Sequence, residues 1–258
     1  MNSRIASLPM YDIPEIRSFN DTFWSQLRHE LQIAKIQNPP QSLTRTVPYN
    51  QIWMHQDLLF SQTCGYPFVS SLWDQVKLIA TPVYSVPGCS GPYYRSWLIS
   101  RNDTDGKKLK DFYDKPIAIN GWDSLSGCKT IELMLNGHLE TYFDTILLSG
   151  GHAKSIDMVR HGLADIAAID CVTWHLIKHY QPHAIKGLRI VDSGPSLPGL
   201  PYITAASTDV SEIHCIQSSL ANVIKNSNNR DLLNKLFLVG IETLDKSVYM
   251  DSLGDTLK

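Results

Sequence analysis

Cysteine is scarce in this 258-residue chain and never closely spaced. The five residues, Cys64, Cys89, Cys128, Cys171 and Cys215, are odd in number, scattered, and show no C-x-x-C pair. That pattern argues against a structural zinc site and against the dense bridging of a small secreted scaffold. Reduced core thiols are expected, with a Cys64–Cys89 pair left open because both lie in turn-like contexts. An excess of one charge sign is also missing. A formal net charge of -2 and a pI near 6.5 provide no broad field for nucleic acid or anionic membranes, so any anion recognition must be local. No apolar stretch approaches the ~20 residues that cross a bilayer, which excludes membrane insertion as a helix. Repeats and low-complexity tails are absent as well.

Several catalytic signatures are missing. Gly121 to Thr130 contains G-C-K-T, but Cys128 separates the glycine from the lysine, so this is not a phosphate-cradling P-loop. Ser126 and Lys129 form S-x-x-K without the companion S-D-N and K-T-G patterns, and no G-x-S-x-G elbow occurs. His175, His179 and His183 repeat every four residues, but Pro182 ends their helix and leaves only two aligned. No metal, cofactor or catalytic group is expected on these grounds.

What is present is an alternation of short apolar runs with helical patterns, the mark of an α/β protein with mainly parallel sheets. Strands are expected at 4–8, 58–62, 77–83, 94–100, 116–119, 145–148, 165–169, 188–191 and 202–205. Helices are expected at 14–36, 125–135, 153–161, 171–180 and 210–225, with Gly162 placed to form a left-handed C-cap. Two connections, 81–93 and 192–202, are rich in Pro and Gly. They bracket a block with its own strand–helix series and suggest a second lobe (94–195) inserted into a discontinuous first lobe (1–93 and 196–258).

Two strand–turn–helix stretches carry the chemistry. In I-N-G-W-D-S-L-S-G-C (119–128), Ser124, Ser126 and Gly127 stand at a helix start, where unpaired N–H groups and a partial positive charge accept an anion. An N-cap by Ser124 is the competing reading. In S-G-G-H (149–152), two glycines let the backbone approach a ligand and His152 opens the next helix. Asp170 closes D-I-A-A-I-D at a strand's C-terminal end, where open α/β sheets place ligand-contacting groups. Aromatics near the Pro/Gly connections, Tyr11, Trp53, Tyr66, Tyr84, Tyr93 and Trp122, include a subset suited to line a ligand.

The stretches S-L-S-G (124–127), G-G-H (150–152), G-L-A-D-I-A-A-I-D (162–170) and S-G-P-S-L-P-G-L-P-Y (193–202) resemble the bacterial phosphate/phosphite/phosphonate substrate-binding family of ABC transporters. Q-T-C-G-Y-P (62–67) and T-P-V-Y-S-V-P-G-C (81–89) match its first-lobe segments. The resemblance implies a two-lobed type II periplasmic-binding-protein fold with a ligand cleft between the lobes. It also implies a non-catalytic role in binding a small anionic or zwitterionic ligand by cleft closure. Ser124, Ser126, the Gly127 amide and His152 would then hold an oxyanion, Tyr11 and Tyr66 would reach from the first lobe, and Asp170 would meet a ligand amine. Implied partners are the small oxyanion and an ABC permease or a regulatory protein.

Two features depart from the family pattern. Leu125 replaces the middle hydroxyl residue of a Ser-Thr-Ser turn. The start, M-N-S-R-I-A-S-L-P, reads as a first strand rather than a secretion signal, so the expected location is cytoplasmic, or periplasmic if the native N-terminus extends further. The alternative function is a cytosolic enzyme of cofactor biosynthesis on the same scaffold, with His152 and Asp170 as acid/base groups.

Overall fold

A computed structural model describes residues 4–253. Residues 1–3 and 254–258, which the expected first lobe includes at its two ends, lie outside the described residues. The chain divides into two compact units. Among the described residues, unit 1 runs through Ser85 and resumes over Pro198–Met250, while unit 2 holds Val86–Leu197 and 251–253. These changes of unit, at 85/86 and 197/198, lie inside the two Pro/Gly-rich connections but differ from the boundaries expected at 93/94 and 195/196.

Elements are numbered in chain order. Unit 1 contains β1 (Ile5–Ala6), α1 (Arg17–Ile33), α2 (Tyr49–Trp53), β2 (Leu58–Gln62), α3 (Gly65–Ser70) and β3 (Val76–Tyr84). After β4 to β10 and α4 to α6, described below with the inserted block, it continues with β11 (Tyr202–Ala205), α7 (Val210–Lys225), α8 (Arg230–Lys235), β12 (Leu238–Glu242) and α9 (Lys246–Asp251). Its sheet has the order β1-β2-β11-β3-β12. In α1 the spacing of Phe23, Trp24, Leu27 and Leu31 puts all four on one buried face. Helix α7 does the same with Ile213, Ile216, Leu220 and Val223, and the two helices pack together. Trp24 stacks over Phe60 of β2 and donates its indole N–H to the Pro40 carbonyl, so its one polar atom is satisfied in the core.

The inserted block contributes β4 (Tyr93–Tyr94), β5 (Ser96–Arg101), β6 (Ile117–Ile119), α4 (Thr130–Leu135), β7 (Ile146–Leu148), α5 (His152–Arg160), β8 (Ile166–Asp170), α6 (Cys171–Tyr180), β9 (Leu188–Ser193) and β10 (Leu197–Pro198). Unit 2's sheet has the order β7-β6-β8-β5-β9. Strand alternation sorts its side chains onto two faces. Leu98, Ile117, Ile119, Ile166 and Ala168 face Cys128, Ile131 and Leu135 on the α4 side. Ile99, Ala118, Ala167 and Ile169 face Ile156, Val159, Trp174 and Ile177 of α5 and α6. With both faces covered, the central strands read as continuous apolar runs.

The expectation of mainly parallel sheets is corrected. Strands β6, β7 and β8 are mutually parallel, but β5 runs antiparallel to both β8 and β9, and β11 runs antiparallel to both β2 and β3. A chain that leaves one unit and later returns adds strands in the opposite sense, and the order of elements along the sequence does not reveal this. The expected strand at 94–100 divides at Arg95 into β4 and β5, and the expected helix at 14–36 ends at Ile33 after a 3-10 turn over Pro14–Ile16. Short α2, α3, α8 and α9, and β12 with its internal Gly240, carry too few periodic residues to register.

The Gly162 cap takes Schellman form. Its φ is 74°, its N–H donates to the Val159 carbonyl at 3.1 Å, and Leu163 N–H donates to Met158 at 2.9 Å. Arg101, at the end of β5, locks this end of α5. Its guanidinium donates to the Val159 and Ala164 carbonyls at 3.0 and 2.8 Å and to Asp165 at 2.6 Å. Replacing Arg101 with Leu leaves the two carbonyls and the carboxylate short of a donor, and we expect stability in urea to fall by about 1–3 kcal/mol.

Candidate functional site

The parallel trio β7-β6-β8 sets the geometry of unit 2. Parallel neighbours end at the same edge of the sheet, and each strand here is followed by a short turn and a helix start: Leu125 after β6, His152 after β7 and Cys171 after β8. Helix starts collect partial positive charge and N–H donors, so this edge is where an anion is best received.

The turn after β6 is wound as a π-helical turn, Leu125–Lys129, before α4 takes over. The Ser124 carbonyl accepts from Lys129 N–H at 3.0 Å, and Ser124 Oγ accepts from Gly127 N–H at 3.1 Å. The capping reading of Ser124 is therefore realised, and it engages the Gly127 amide that was expected to face a ligand. The Ser124 hydroxyl proton is not used in that bond. Gly127 admits a close approach, since a Cβ there would stand 1.7 Å from Asn120 Oδ1 and displace that side chain. Leu125 is buried and brings no hydroxyl to the turn. Burial pushes the neighbouring Cys128 thiol up to about 12, which makes it inert as a nucleophile.

The turn after β7 is held by Ser149. Its hydroxyl contacts the Gly151 carbonyl at 3.0 Å and the Ser155 hydroxyl at 2.7 Å, while Gly150 adopts a φ of 80° that favours glycine. This arrangement delivers His152 to the neighbouring turn. His152 Nε2 lies 2.7 Å from Ser126 Oγ and 3.5 Å from Asn120 Nδ2. The other ring nitrogen, Nδ1, is enclosed without a well-formed hydrogen bond. Burial lowers the ring's pKa to about 4, opposed only by the Ala168 backbone carbonyl, so the imidazole is neutral at physiological pH. A neutral ring presents Nε2 as donor or acceptor, and the Ser126 hydroxyl can complement either.

Of the expected residues, Ser124, Ser126, Gly127 and His152 are thus brought together. Asp170 is at the same sheet edge but is almost fully enclosed, and its Oδ1 accepts from Val172 and Thr173 N–H at 2.7 and 2.9 Å. That oxygen caps α6. In unit 1, Tyr11 is buried with its ring edge-on to Tyr84, centroids 5.4 Å apart, and Tyr66 is half-buried in the first turn of α3. Asn120 was not anticipated. Its position directly after β6, at the same edge as the serines, was the available signal, and its enclosed Oδ1 has no hydrogen-bond partner. Among the described residues no group of three or more His, Cys, Asp or Glu could hold a metal ion. No described helix is long and apolar enough to cross a membrane.

These features define an α/β binding protein of the periplasmic-binding-protein class. The sequence matches the family model of the phosphonate ABC transporter periplasmic substrate-binding protein over residues 55–249, and the chain belongs to that family. PhnD1 of Prochlorococcus marinus in complex with methylphosphonate is similar in structure, with a TM-score of 0.76 and 15% identity over 99% of this chain and 97% of that one. A binding-protein component of an ABC phosphonate transporter from Pseudomonas aeruginosa also gives 0.76 and 15%, covering 96% and 84%. A protein from Xanthomonas citri bound to ATP gives 0.71 and 14%, covering 99% and 96%. At such identities these likenesses establish the fold alone. No curated protein matches the sequence.

The depressed His152 pKa has a consequence for stability. Between 6.5 and about 4 the unfolded chain takes up a proton that the folded ring refuses. That uptake favours unfolding, so the cost is absent above 6.5 and grows as pH falls through that window. We expect wild type to lose about 1–3 kcal/mol more than His152→Gln between about pH 7 and about pH 4.5 in urea titrations.

Proposed function

We propose that the protein binds a small oxyanion of the phosphate or phosphonate class at the edge formed by Ser124, Ser126 and His152, with closure of the two units about the ligand. The observation that carries this reading is the 2.7 Å contact between Ser126 Oγ and His152 Nε2, which joins two helix starts from adjacent parallel strands. In the absence of ligand the two groups satisfy each other. An arriving oxyanion replaces that bond by accepting from Ser126 O–H, from Ser124 O–H and from Nε2–H when the ring holds its proton there. Charge-assisted bonds of this kind are short and about twice as strong as neutral ones. The neutral ring adds no net charge, so the ligand's charge is met by N–H dipoles rather than by a fixed cation. Relatives that bind methylphosphonate, or belong to phosphonate transporters, support the ligand class. Leu125 leaves this turn one donor short of a Ser-Thr-Ser turn, which favours a ligand whose third oxygen finds its donor elsewhere.

The partner in this reading is an ABC permease, and the working location is the compartment in which that permease collects its ligand. The alternative of an enzyme needs a competent base, and a ring with a pKa near 4 is a weak one at neutral pH. In calorimetric titrations with methylphosphonate and with inorganic phosphate, Ser126→Ala is expected to weaken binding by about 10-fold or more, and Ser126→Ala with His152→Ala by about 100-fold or more. Wild-type affinity in the double variant sinks the assignment of the site, and turnover of a metabolite by purified protein supports the enzyme instead.

A further inference from the structure

Unit 2 brings together a second pair of side chains, separate from Ser126 and His152. Cys89 lies between β3 and β4, shortly after the chain enters unit 2, and Cys171 is the first residue of α6. Their sulfurs are 3.6 Å apart, although 82 positions separate them in sequence. Cys171 is fully enclosed, whereas Cys89 is half-buried. The loop bearing Cys89 is pressed onto the helix start. A Cβ at Gly88, whose φ is 98°, would stand 2.8 Å from Cys171 Cβ and 2.7 Å from Trp97 Cζ2, so only glycine lets the backbone come this close.

We propose that Cys89 and Cys171 are a reversible modification site that closes to an intramolecular disulfide when the protein meets a low-molecular-weight disulfide such as oxidised glutathione. None of the five cysteines is bridged in this structure, and the sulfurs of Cys89 and Cys171 lie in contact within unit 2. Side-chain rotation has to bring the two sulfurs from 3.6 Å to about 2.05 Å.

Accessibility sets the order of steps. The hydrogen bond with Cys89, reinforced by burial, holds the Cys171 thiol far above its ordinary range, so Cys171 stays protonated and cannot start the exchange. Cys89 gives its proton to water, and its thiolate attacks one sulfur of oxidised glutathione. That S–S bond breaks, one glutathione leaves as thiolate, and a mixed disulfide forms on Cys89. The Cys171 sulfur then attacks Cys89 Sγ as its proton passes to the second glutathione, which leaves as the thiol. The protein loses two electrons and two protons, and one oxidised glutathione becomes two reduced ones. The bridge pins the segment just beyond the crossover at Val86 to the start of α6, next to its cap Asp170.

The test uses the full chain, reduced, freed of reductant and incubated with oxidised glutathione. Remaining thiols are then alkylated and peptides mapped by mass spectrometry. The expected result is a linked Cys89–Cys171 peptide that dithiothreitol reverses, with a rise in Tm of roughly 5–10 °C that Cys89→Ser abolishes. A persistent glutathione adduct on Cys89, or alkylation of both thiols after oxidant, overturns the proposal. The mapping is read on wild-type protein and does not depend on the variant folding.

Discussion

The hydrogen bond between Ser126 and His152 is the point on which the functional account turns, and it exists because β6 and β7 are parallel neighbours. Parallel pairing brings the turns after both strands to one edge, and Gly150, with its φ of 80°, turns the chain that leads to His152. Each residue separately is ordinary, a serine in a helix start and a histidine opening another. Held 2.7 Å apart among buried groups, they become a matched donor–acceptor pair, the one we propose an oxyanion divides.

Desolvation then determines the character of the site. It strips His152 of its charge, and it makes each hydrogen bond there stronger than it would be in water, while raising the cost of leaving any polar group unpaired. Asn120 Oδ1 is such a group, enclosed and unsatisfied beside the pair. The close approach of Asn120 to Gly127 explains why this position has no side chain. Recognition by dipoles and neutral donors also accords with the near-balanced net charge of the chain.

Much of this was legible in the sequence because it is local. The ranges of β2, β11, α6 and α7 follow from apolar runs and periodicity and agree with expectation to the residue. The helix starts at Ser124 and His152 were marked by glycines, serines and the preceding apolar strands. The sense of β5 and β11 was not legible, since strand direction depends on where a crossover lands and not on side-chain pattern. The Ser124 cap was one of the two readings the sequence offered for its turn. Two site details were hidden, because the capping role of Asp170 and the approach of Asn120 depend on the depth and winding of the turns. The meeting of Cys89 with Cys171 joins residues too far apart in sequence for spacing to suggest it.

The most direct test of the central claim is an NMR titration of isotope-labelled protein with methylphosphonate, following the backbone amides together with the ring nitrogens of His152. If an oxyanion divides the Ser126–His152 pair, the largest changes fall on His152 Nε2 and on the amides of the 124–127 turn. Saturable binding that leaves those signals unmoved, with changes confined to other parts of the chain, contradicts it.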